Sequence, residues 1–127
     1  MNKDYLAIEL AKIEAEAASF TAGLLATQDT FLRGHALVEL LIAHGAPEET
    51  RLSVIGHGYG IAPGYTIYCN HKNDQPEAVF NALQDSRAPY HIAPSYHDDV
   101  RSVRVEGYEG VDLILPAALF LPLQVAA

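Results

Sequence analysis

The hydrophobic period of this chain changes once, near residue 50, and that change sets its fold class. Before it, Leu6, Leu10, Ile13, Ala17, Phe20 and Leu24 follow one another at alternating steps of four and three residues. This is the a/d seam of a 3.5-residue repeat, the signature of a long helix lying against something. Ala7, Ala11, Ala15, Ala17 and Ala18 raise its helix propensity. At about 1.5 Å per residue the helix should be about 30 Å long. A second helix is expected to follow, capped by Thr27 or Asp29. It runs through Phe31, Leu32, Leu37, Val38, Leu40, Leu41 and Ile42. Gly45 after His44 is a C-terminal stop, and Pro47 stands where a helix cannot continue. Between Ala36 and Ala43 the helix is apolar over most of its circumference, so it must be buried on more than one side. One side suits the first helix and another the sheet. The surplus apolar surface at Leu37, Leu40 and Leu41 is the expected interface of a homodimer or ring.

From Arg51 the period becomes two, placing Leu52 and Val54 on one strand face. Tyr65, Ile67, Cys69 and His71 share one face of a second strand, with Thr66, Tyr68 and Asn70 on the other. The run GHGYGIAPG, residues 56–64, joins the two as a long hairpin loop. A short helix over 75–86 follows, with Asp74 as N-cap, Pro76 in the first turn and Glu77 completing a capping box. Val79, Phe80 and Leu83 form its buried stripe. Residues 88–99 read as a short edge strand plus loop, because Pro89 and Pro94 suit an edge. Strands at 101–106 and 111–115 flank the turn Gly107-Tyr108-Glu109-Gly110, and a last strand over 119–125 carries Pro122 at an edge. The pattern predicts a single α+β domain over 1–127. A helical hairpin, 1–45, and one further short helix pack on a mostly antiparallel sheet, 51–125, of about four to six strands.

The net charge is −8, with eight acids and three bases in residues 1–50 and eight acids and five bases after them. That excess argues against direct nucleic-acid binding, which needs a basic footprint. It suits a protein partner with a basic surface. No apolar run approaches the roughly 18–20 residues of a membrane span. The N-terminus lacks the basic and continuously apolar regions of a signal peptide, so the expected location is the cytoplasm.

The residues able to do chemistry crowd between Gly56 and Asp99. This 44-residue window holds four of the six histidines, five of the seven tyrosines and the only cysteine. His57, Cys69, His71, His91, His97, Asp98 and Asp99 are all metal-ligand types. None of the spacings that mark a zinc site is present, and no metal or cofactor is expected. Cys69 beside Ile67 reads as a small buried hydrophobe rather than a nucleophile. No serine sits in a nucleophile-elbow motif. The glycine run lies between two strands, whereas phosphate loops run from a strand into a helix. Protein recognition suits the window better than catalysis, since tyrosines offer large contact area at low entropic cost. The expected contact residues are His57, Tyr59, Tyr68, His91, Tyr96 and His97. The expected function is a small acidic, non-enzymatic protein-binding module. It would be an adaptor or inhibitor of the kind carried by phages or mobile elements to block a host complex. The alternatives are a self-assembling, virion-type subunit and a metal- or thiol-dependent hydrolase.

Overall fold

The computed structural model describes residues 2–55, 64–95 and 97–120. Their order is α1 (Asn2–Ala26), α2 (Gln28–Ala43), β1 (Ser53–Ile55), β2 (Gly64–Tyr68), α3 (Pro76–Ser86), β3 (Tyr90–Pro94), β4 (Val100–Val105) and β5 (Val111–Pro116). Short 3-10 turns occupy Lys72–Asp74 and Ala117–Phe120. The fold is α+β, with three helices and a five-stranded, mostly antiparallel sheet in the order β1-β2-β5-β4-β3. β3, β4 and β5 form an antiparallel meander, and β1 pairs antiparallel with β2. β2 and β5 are the parallel neighbours. That arises because α3 carries the chain from β2 to the far edge, and the meander then returns to it.

One face of the sheet is apolar at every second position, as its period requires. Tyr65 and Ile67 of β2, Val103 and Val105 of β4, and Val111, Leu113 and Leu115 of β5 are buried there. α2 contributes Leu37, Val38 and Leu41 to the same core, and α3 contributes Val79, Phe80, Ala82 and Leu83. Phe80 meets Tyr90 and Phe120 edge to face, with ring centroids 6.2 and 5.1 Å apart. The expected strand over 119–125 does not begin as one. Leu119 and Phe120 belong to a 3-10 turn, and Phe120 folds under the sheet beside Phe80. Residues 121–127 lie outside the described residues.

Local signals decide where the helices end. Gly45 takes φ +114 after α2. Its N–H bonds the carbonyl of Ile42, and the N–H of Ala46 bonds that of Leu41 at 2.9 Å. This is the Schellman pattern, and the buried pair Ala46 and Leu41 supplies its apolar contact. The start of α3 differs from expectation. Gln75, at φ +49, is the N-cap, so Glu77 comes one residue too early for a capping box. Asp74 instead accepts the N–H of His71 through Oδ2 at 3.1 Å, holding the preceding 3-10 turn. Thr27 does sit at the head of α2, but its side chain does not cap it. Its hydroxyl bonds the Gly23 carbonyl at 2.7 Å and the Tyr65 hydroxyl at 2.5 Å.

The largest departure concerns the seam of α1. The packing of Leu6, Leu10 and Ile13 along α2 is not made. These residues are 62, 52 and 54% exposed. Thr27 alone separates the two helices, and helical hydrogen bonds continue on both sides of it, from Thr27 to Gly23 and from Phe31 to Thr27. A helix folding back on its neighbour needs a loop of roughly 2–5 residues. Near the end of α1, Leu24 packs against the core.

The turn between β4 and β5 docks on α2. Arg33 donates from Nε to the Glu109 carbonyl at 3.0 Å and from its guanidinium to Thr30 Oγ1 at 2.9 Å. Gly110 sits at φ +88, and a Cβ there would stand 2.8 Å from Thr30 Cγ2. Gly110→Ala should therefore cost about 2 kcal/mol, from left-handed strain and that clash together. Urea unfolding would measure it. A Thr30→Ser background, which removes Cγ2, should restore part of the loss; full retention of the loss would assign it to the backbone alone.

Candidate functional site

The face of the sheet opposite the helices carries the polar residues. Strand register lines them up. His91 pairs with Arg104, Asp112 with Thr66, and Thr66 with Ser53. Arg104 Nε reaches Asp112 Oδ1 at 3.1 Å. A single row, His91–Arg104–Asp112–Thr66–Ser53, thus crosses all five strands, roughly 19 Å at 4.8 Å per strand. The next row runs Ala93, Ser102, Ile114 and Tyr68. The register therefore places Tyr68 and His91, both expected contacts, on one face about three strand spacings apart, roughly 14 Å.

An open groove of about 660 Å³ lies at the His91 end, lined by Tyr90, His91, Arg104, Glu106, Tyr108 and Asp112 among others. Two of its charged residues, Arg104 and Asp112, are engaged with each other. Ser102, a buried residue, donates its hydroxyl to Asp112 Oδ1 at 2.8 Å, and Arg104 donates to the same oxygen. A guanidinium facing a carboxylate is a weak anion trap. The row suits hydrogen bonding to a partner's surface better than chemistry on a substrate.

The thiol and histidine options separate in space. Cys69 is buried in the core. Burial, with a smaller contribution from the negative charge of Asp74, pushes its thiol up to about 12. A buried thiol held protonated is a weak nucleophile, which argues against Cys69 as one. His71 does not share its strand, because β2 ends at Tyr68. It stands exposed in a bend, where its Nδ1 accepts the N–H of Asn73 at 3.2 Å. His97, Asp98 and Asp99 form an exposed turn, tied down by Arg101 donating to the Asp98 carbonyl at 2.7 Å. Among the described residues no three of His, Cys, Asp and Glu stand close enough to hold a metal ion. His57, Tyr59 and Tyr96 lie outside the described residues, as does most of the glycine-rich run.

No protein-family model, no curated protein and no solved structure matches this chain. The functional reading therefore rests on the chain's own surfaces. Among the described residues no helix is long and apolar enough to cross a membrane.

The expected subunit interface on α2 is corrected by burial. Leu37 and Leu41 are fully enclosed by the chain's own core, and Leu40 packs against it in part. They face the sheet and α3, so a second chain cannot reach Leu37 or Leu41. The apolar surface left over is on α1. Tyr5, Leu6, Ile8, Leu10 and Ile13 are each more than half exposed. Leu6, Leu10 and Ile13 belong to the heptad seam, Tyr5 and Ile8 lie off it, and the seam does not say which surface covers it.

Proposed function

We propose that the protein is a small, non-enzymatic binding module, an adaptor or inhibitor, that grips another protein through α1. The observation supporting this is the exposure of Leu6, Leu10 and Ile13, which form one stripe along α1. Single exposed apolar residues are ordinary, but three in register on one helix face are what a partner helix would cover. Fully burying a Leu or Ile contributes about 1.5–3 kcal/mol, so the exposed halves of the seam still hold about 1 kcal/mol each for a partner to gain. The polar row with Tyr68 and His91 would serve as an adaptable secondary contact.

The test uses a photo-crosslinking residue placed at Leu10 and, as a control, at exposed Asn81 on α3, in cells of the protein's own source. A defined adduct is expected from position 10 and not from position 81. No adduct, or the same adducts from both positions, would sink the proposal.

A further inference from the structure

The seam of α1 is flanked by charge of one sign. By the heptad count that places Leu10 and Ala17 at a and Leu6, Ile13 and Phe20 at d, Glu9 and Glu16 fall at g and Glu14 at e. All three glutamates are exposed. The other e and g positions of the helix, Asn2, Ala7, Thr21 and Gly23, are uncharged. By the same count the helix's two lysines, Lys3 and Lys12, fall at a and c, outside both flanks.

This distribution decides between occupants. A second copy of α1 laid in parallel would set Glu9 against Glu14 of the other copy, twice. Laid antiparallel, it would set Glu9 against Glu16, twice. Neither arrangement gains a single opposite-charge pair at the flanks, and two copies of a chain of net charge −8 also repel as wholes. A partner helix with an apolar stripe between Lys or Arg flanks turns each of those contacts from repulsion into attraction.

We propose that the Asp4–Ala18 stretch of α1 docks an amphipathic helix of another protein whose apolar stripe is bordered by lysines or arginines. This rests on the reading of α1 as the binding element and specifies its partner's chemistry. Leu6, Leu10 and Ile13 supply the buried seam, and Glu9, Glu14 and Glu16 select for basic flanks. Like charges across such flanks disfavour wrong partners, so the glutamates serve specificity as well as attraction.

The probe is a synthetic peptide of about three heptads with Ile at a, Leu at d and Lys at every e and g position. Its twin carries Glu at e and g. Like charges on its own flanks discourage either peptide from pairing with itself. Binding to the whole protein is followed by fluorescence anisotropy at low salt. The Lys peptide should bind at least about tenfold tighter than the Glu peptide. A Glu9→Lys, Glu14→Lys, Glu16→Lys variant should reverse that order, and a Leu10→Ser, Ile13→Ser variant should bind neither. These side chains are exposed, and an unchanged circular dichroism melt checks that each variant stays folded.

Equal affinity for the two peptides, or none for either, overturns the proposal. So does sedimentation of the wild type as a dimer that becomes a monomer in the Leu10→Ser, Ile13→Ser variant, since the seam's occupant is then a second copy. A partner crosslinked at Leu10 together with equal peptide affinities would leave the binding reading standing and remove only the basic helix.

Discussion

Cys69 of the folded protein should react with an aromatic disulfide reagent at pH 8 about a thousandfold more slowly than it does in urea. The thiolate is the reacting form, and a shift from 9.0 to about 12 lowers its population at pH 8 by about that factor. Because Cys69 is the only cysteine, the trace should be a single phase, slow in buffer and fast on unfolding. A folded rate close to the unfolded one would mean that the β2 end is open. The same shift sets a pH dependence. The folded state keeps a proton that the unfolded chain gives up, so its stability is untouched below pH 9 and falls as pH rises toward 12. The slope from this group is roughly 1 kcal/mol per pH unit. Other groups titrate in that range, so the measurement is the difference between wild type and Cys69→Ala. Below about pH 9 that difference should be constant, and above it the wild type should lose stability relative to the variant.

Leu37→Ala should cost about 2–5 kcal/mol, whereas Leu10→Ala should change stability by no more than about 0.5 kcal/mol. Both positions look equally apolar in sequence. Leu37 is enclosed by the sheet and α3, and Leu10 projects from α1. A domain of this size has about 5–15 kcal/mol in all, so the first substitution alone would bring it near unfolding. Urea melts followed by circular dichroism measure both. A comparable loss at Leu10 would mean that α1 does lie along the body after all, and that its seam is not free for a partner.

Much of this contrast between positions could be read in the chain beforehand, and some could not. The change of period near residue 50 separates helices from strands, and Val103 and Val105 point inward as their alternation requires. Gly45 and Pro76 mark helix ends through backbone rules that depend on few neighbours. Arg104 and Asp112 each stand between inward residues, so their outward direction was legible. Their meeting was not, because it depends on the register of β4 against β5. The parallel pairing of β2 with β5 likewise comes from where α3 delivers the chain. Asp74, two residues before Pro76, can hold either a helix start or the turn ahead of it, and here it holds the turn. The seam of α1 was visible and its cover was not, since periodicity reports an apolar stripe and never what lies on it. The leucines of α2 read as an interface for the converse reason, and burial removes Leu37 and Leu41 from it. A helix rich in leucine on several sides meets either a second chain or a sheet together with another helix, and here it meets the latter.

Thr27 also has a mechanical consequence. At about 1.5 Å per residue the 25 residues of α1 form an arm about 37 Å long. The arm joins the body near its end, where Leu24 packs against the core and the hydroxyl pair Thr27–Tyr65 ties the joint to β2. By simple leverage, a turn of about 10° at this joint carries the far end through about 6 Å, the height of one helical turn. Thr27 thus acts as the aiming point of a long lever, held to the body by Leu24 in the core and by the hydroxyl contact with Tyr65.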